Sequence, residues 1–503
     1  MKFKPKLLNM FKNTTLISCL PLILVELWLA FTLVLFKFGP WSYKVKRPDL
    51  FWVYMILYCI TFAVGFIVVI ASSKSKNSYE QNIGLGKIAF KYMWIPYAIY
   101  FISFIPLYNL STGGSAFAFF HNLAIGITDP YTAYYTKVNG NLNNVQPAIF
   151  QVLVSGIIAP ITWVIIPLSV YFWTKLNSFY KITFSIYLFL EFGKWISIGT
   201  NKGICDLLIV IFVTLIVDIC MNFNKDKLKK TLKKKFSLIV IVFLAFFLFI
   251  GYFGFSMTSR VGSVENLTED KNEAMVGLAL KVDESASQTG PASQTEPANQ
   301  TEPASQTEPA SQTGPASQTE PVNQTNSKIG TFVNNTYLGL TSYLTQGYYA
   351  MGEALTKDFT TTYGIGNSYF LIRVNEVISG ENVINNTYPG KLLPEIDPYI
   401  RWHTAFTWWA SDISFPGVAL FMALLGMIFA WFWVDVIERK NVISYAILSL
   451  FGIMFFYITC NNQVFAFVQT FCAFWGLILI RFLYYLISIK MDKTQNKGVK
   501  AVE

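Results

Sequence analysis

The chain has 503 residues, 53% of them hydrophobic and only 14% charged. Soluble domains carry about a quarter charged residues, so this balance excludes an ordinary soluble domain and indicates a membrane protein. The formal net charge of +10 does not indicate a nucleic-acid partner, because most lysines lie in short segments between apolar runs, where basic residues mark the cytoplasmic side.

The first apolar run follows MKFKPKLLNMFKNTT. It is too long for a signal peptide and lacks a small-x-small cleavage site, so it is expected to be an uncleaved first span. Runs long enough to cross a hydrocarbon core as helices fall at 15–36, 50–71, 88–108, 148–173, 179–198, 204–222, 237–256, 416–434, 442–460 and 464–487. Pro160 and Pro167 leave open whether the fourth is one span or two. The expected fold class is an all-α, polytopic integral membrane protein of about ten transmembrane helices. Residues 1–256 carry helices one to seven, 257–415 form one large extracytoplasmic loop, and 416–503 carry helices eight to ten and a cytoplasmic tail.

Orientation follows from the lysines. An inside N-terminus puts KSKNSYEQNIGLGK, TKLNSFYK, NKDKLKKTLKKKF, ERKN and KMDKTQNK in the cytoplasm, and the third carries seven lysines between 225 and 235. Only KFGPWSYKVKRPDL dissents. Both termini are then cytoplasmic. The first outward loop, about 109–147, is nearly uncharged. The second contains the hexads ASQTGP, ASQTEP and ANQTEP in tandem from Ala286 to Pro321. With no aliphatic larger than alanine and a proline every six residues, the hexads read as a disordered spacer inserted between segments that form short surface helices.

Six cysteines, at 19, 59, 205, 220, 460 and 472, lie in or beside apolar segments without metal-ligand spacing, so no metal and no cofactor are expected. Of 39 basic residues only six are arginine, and Arg260, Arg373 and Arg401 all fall in the large loop. A guanidinium binds phosphate oxygens bidentately, which a lysine cannot do. His403 and Asp412 are candidate proton acceptors beside Arg401, and Asp412 or Ser414 is also a candidate helix cap. Trp402, Trp408 and Trp409 suit an interfacial belt or a sugar-stacking surface. Within the membrane, Glu26 and the pair Glu191 and Lys194 are suspects because buried charge is costly. The small-residue turn GTNKGICD, residues 199–206, presents Lys202 at the outer surface, and its amides are able to cradle an anion.

Three elements resemble the bacterial oligosaccharide repeat-unit polymerases, the Wzy-type O-antigen and capsule polysaccharide polymerases. These are the G-T-N-K-G turn, the aromatic YLTQGYYAMGEAL segment, and WHTAFTWWASDISFPGVALFMALLG entering a late span. The resemblance implies a metal-independent glycosyltransferase in the bacterial plasma membrane. Such an enzyme transfers a growing glycan from polyprenyl diphosphate to a hydroxyl of another lipid-linked oligosaccharide at the outer face. A flippase and a chain-length regulator would be its partners. It also implies that Lys202, Arg260, Arg373 and Arg401 hold the diphosphate, with His403 or Asp412 as base. Lys202 departs from the arginine often found in that turn, and the hexads are not part of the family pattern. A lipid-linked glycan ligase of similar architecture and a polysaccharide exporter or flippase are the alternatives. The exporter calls for internal repeats and short loops, which are lacking here.

Overall fold

The computed structural model describes residues 16–41, 43–73, 79–112, 115–143, 156–221, 225–265, 328–393, 395–396 and 401–500. The hexads and the expected start of the fourth span lie outside the described residues. Among those described there are helices and turns and no strand. The principal helices are α1 (Leu16–Phe38), α2 (Pro48–Ser72), α3 (Tyr79–Lys91), α4 (Trp94–Thr112), α5 (Phe119–Thr128), α6 (Pro130–Asn143), α7 (Ile165–Phe172), α8 (Ser178–Ile196), α9 (Lys202–Met221) and α10 (Lys225–Glu265). After the hexads come α11 (Lys328–Ala354), α12 (Tyr369–Ser379), α13 (Ala405–Arg439), α14 (Val442–Tyr457) and α15 (Val468–Lys500).

Six of these are long and apolar enough to cross a membrane, within α1, α2, α9, α10, α13 and α15. A seventh is formed if α3 and α4, bent by 41° where they meet, act as one span. The other three expected spans are less regular. The described part of the fourth is interrupted by a turn at Trp163 and Val164, α8 carries Lys181, Glu191 and Lys194, and α14 has only 16 residues.

The core is set by a close pairing of α2 with α13. A Cβ on Gly65 would lie 1.9 Å from the Ala423 carbonyl oxygen, and one on Gly426 would lie 2.3 Å from that of Phe62. Only glycine lets the two backbones approach this far, the small-residue seam common between membrane helices. Phe429 fills the space beside the seam, edge-on to Phe455 at 4.8 Å and tilted against Phe451 at 5.2 Å. Each such aromatic pair contributes about 0.5–1.5 kcal/mol beyond its area.

The two ends of the bundle differ in chemistry. At one end Lys235 pairs with Asp218 at 2.8 Å, and Lys440 donates to the Met221 carbonyl. There too Asp435 accepts from Arg481 through Nε at 2.9 Å and Nη2 at 3.0 Å, from Arg439 at 3.1 Å and from Ser444. The opposite end, about 30 Å away along α9, holds the 199–202 turn, α12 and the entry to α13. α13 is two helices joined at a kink at Ser414: a first segment from Ala405, and a second that begins beside the expected start of the eighth span at 416. Thr404 caps the first segment, accepting from the Thr407 amide. Ser414, at φ 63° and ψ 163°, makes the break just before Pro416. That backbone region is strained for any residue but glycine.

Candidate functional site

The turn after α8 is a Schellman motif. Gly199 has φ +62°, its amide donates to Ile196, and the Thr200 amide donates to Trp195 at 3.1 Å. These two amides therefore satisfy the end of α8 and are not available to an anion. The turn instead positions side chains. Gly203 leaves room for the Trp195 indole, which a Cβ there would meet at 1.8 Å. The Lys194 and Lys202 ammonium groups both sit over that indole, at 5.3 and 5.7 Å from its centroid. Lys202 also lies 3.5 Å from the Phe467 ring centroid. Desolvated contacts of this kind are worth about 2 kcal/mol each.

These lysines line a cavity of about 470 Å3 walled by α4, the broken fourth segment, α8, α9, α12 and the start of α15. Its charged lining is Glu191, Lys194, Lys202, Asp206 and Arg373, set among Tyr100, Trp163, Tyr187 and Phe370. Each cation has a carboxylate of its own. Lys194 meets both Glu191 oxygens at 2.7 Å, Lys202 lies 3.6 Å from Asp206, and Arg373 lies 2.5 Å from Glu376. Among the described residues no group of three or more His, Cys, Asp or Glu side chains is arranged to hold a metal ion.

Of the residues singled out from sequence, the cavity brings together Lys202 and Arg373 with Glu191 and Lys194. It does not include Arg401, His403, Asp412, Trp402, Trp408 or Trp409. Glu26, on α1, is half-buried beside Cys59 of α2, outside the cavity lining. Arg260 lies on α10, and its side chain is outside the described residues.

Asp412 faces the loop TTYGIGN. Its carboxylate accepts from the amides of Gly364 at 2.9 Å, Gly366 at 3.1 Å and Asn367 at 3.0 Å, from the Asn367 side chain at 2.7 Å, and from the Thr362 hydroxyl. A carboxylate has about four lone-pair sites. Five donors occupy it fully, and it clasps a loop instead of standing free as a base. That loop leads directly into Ser368, the N-cap of α12, whose hydroxyl donates to the Phe465 carbonyl. Asp412 thereby fixes the helix that carries Tyr369, Phe370 and Arg373 to the cavity.

The tryptophans correct the belt reading. Trp408 and Trp409 are 2% and 3% exposed, which is core burial and leaves no ring face for a sugar. Trp408 packs edge-on against Tyr369 at 4.7 Å and so backs the cavity wall. Trp409 packs on Phe406 and Phe421. Trp402 is half-buried between Tyr343 and Tyr457. Arg401 is half-buried within electrostatic reach of Tyr43.

His403 is 1% exposed, beside the Ile396 backbone and Trp408. Burial drives its pKa down to about 3, so it stays neutral and is a poor proton acceptor near neutral pH. The unfolded chain binds that proton near 6.5 and the folded one does not, so stability is full above pH 6.5 and is lost as pH falls from there toward 3. In detergent the apparent Tm is expected to drop over that range. The contribution from this residue is about 1.4 kcal/mol per pH unit. A His403→Leu variant should show a shallower slope, and an unchanged slope would refute the assignment.

Sequence reasoning missed the polar break TCNNQ between α14 and α15. Thr459, Asn462 and Gln463 are all buried there. The Gln463 amide donates to Asp206 at 3.0 and 3.3 Å, and Asn462 donates to the Asn367 carbonyl, tying the break to both the cavity and the clasped loop. The readable signal was a run of polar residues between two apolar spans, too polar for a simple turn. No protein-family model, curated protein or solved structure matches this chain.

Proposed function

We propose that this chain polymerises polyprenyl-diphosphate-linked oligosaccharide repeat units into surface polysaccharide, without a metal or cofactor. In this reading it spans the bacterial plasma membrane ten times with both termini cytoplasmic, and works at the outer face with a flippase and a chain-length regulator. The observation that carries the proposal is the cavity with Lys194, Lys202 and Arg373 at the bundle end opposite the lysine-rich segment. A lipid-linked diphosphate brings concentrated negative charge, and preorganised cations stabilise the departing diphosphate. The three resemblances in sequence support the same reading.

Deleting the gene and resolving surface polysaccharide on a gel tests it. The ladder should collapse to single repeat units or none, with no long polymer retained inside the cell. Complementation with Lys202→Ala should restore about a hundredth of wild-type chain extension, and Arg373→Ala more, because Arg373 is largely exposed. A full ladder in the deletion strain would overturn the proposal. Long polymer trapped inside would favour an exporter.

A further inference from the structure

The cavity holds two carboxylates, and they are not equivalent. Glu191 has both oxygens held at 2.7 Å by Lys194, its neighbour one turn along α8. Asp206, 3% exposed, is oriented by the neutral Gln463 amide, with the Tyr457 hydroxyl as a further partner. Its only cation in contact among the described residues, Lys202, stands off at 3.6 Å. A carboxylate in this state keeps acceptor capacity toward the cavity, which the five-donor Asp412 does not.

We infer that Asp206 is the proton acceptor of this site, with Gln463 as its positioning residue. The inference rests on the proposed polymerase reading. A lipid diphosphate entering the cavity competes for Lys202, the one basic group shared between the anion and Asp206. As Lys202 turns to the diphosphate, Asp206 loses its counter-ion and is left facing the acceptor at the moment the donor arrives. The acceptor hydroxyl gives its proton to Asp206, and its oxygen forms a bond to the anomeric carbon. The bond from that carbon to the diphosphate oxygen breaks, and its electron pair leaves with the diphosphate. The proton then passes to the departing diphosphate, returning Asp206 to its charged form. The other charged groups lining the space around Asp206 are Lys194 and Glu191 from α8 and Arg373 from α12.

The test uses full-length protein in membranes of the deletion strain, supplied with the lipid-linked repeat unit extracted from that strain. Chain extension is measured against substrate concentration and pH. Asp206→Asn should lower kcat by about 10²–10⁴-fold with KM changed little, whereas Lys202→Ala should both lower kcat and raise KM. Asp206→Glu should keep part of the rate and move the acid limb of the pH–rate profile. Gln463→Leu should lower kcat and shift the same limb. If Asp206→Asn keeps kcat within a few-fold of wild type, the inference fails while the polymerase reading stands. It also fails if the rate falls only in proportion to the amount of folded protein and Asp206→Glu leaves the acid limb unmoved. If wild-type protein extends no chains, the polymerase reading itself fails and takes the inference with it.

Discussion

Asp412→Ala is expected to release the 361–367 loop and abolish chain extension while the spans stay assembled. The substitution removes one acceptor from five donors, three of them backbone amides. Hydrogen bonds to a charged group contribute about 1.5–3 kcal/mol each, but water reaches the exposed amide of Gly364 and offsets part of the loss. A net local destabilisation of about 3–5 kcal/mol follows. Thr361 and Thr362 still bond the Asp412 and Ser411 carbonyls, so one anchor of the loop survives. Limited proteolysis should find a new cut between 361 and 367, with Tyr369, Phe370 and Arg373 leaving the cavity wall together. Asp412→Asn separates the two roles considered for this residue. A clasp loses loop protection and activity in parallel, because an amide nitrogen then faces the Asn367 donors. A general base would lose activity with the loop still protected, and that outcome would refute the clasp.

The second large effect lies at the opposite end of the bundle. Asp435→Ala should leave the Arg481 guanidinium buried without its counter-ion, since Asp435 is fully buried and Arg481 is 4% exposed. Breaking a buried pair from one side costs about 3–5 kcal/mol, whereas replacing both partners with apolar groups is often close to neutral. Folded yield in the membrane should therefore collapse for Asp435→Ala and recover substantially in Asp435→Leu combined with Arg481→Met. Arg439 and Ser444 also bond this carboxylate, so recovery should be incomplete. Size-exclusion profiles of the detergent-extracted protein give the readout. Equal yields for the single and double variants would show that the pair does not hold α13 against α15.

Much of the helical skeleton was legible in the sequence because lipid demands it. Leu16–Phe38, Pro48–Ser72 and Lys202–Met221 each begin and end within two residues of the apolar run that announced them. Arg401 to Gly417 shows where such reading stops. Its tryptophans suit an interface and a protein core equally, and only the packing of Tyr369, Phe406 and Phe421 against them decides for the core. Asp412 and its loop are separated by 45 to 50 residues, and no local pattern records that pairing. Arg481 lies within the apolar run 464–487 and nothing local marks its partner, the buried Asp435, 46 residues away. Asp206 sat within the quoted GTNKGICD string without standing out, because its partner Gln463 lies 257 residues away.

The pairing of each cavity cation with its own carboxylate has a consequence for what the site admits. Lys194, Lys202 and Arg373 are matched one for one by Glu191, Asp206 and Glu376, so their charges nearly cancel. The site projects little field into the surrounding bilayer and does not draw in ordinary anionic headgroups by long-range attraction. A single negative charge gains little by displacing a carboxylate already in place. A diphosphate, able to engage two or three of these cations at once, gains on each exchange. On the proposed reading, selectivity among lipids comes from the number of charges that arrive together, a counting rule built from three ion pairs.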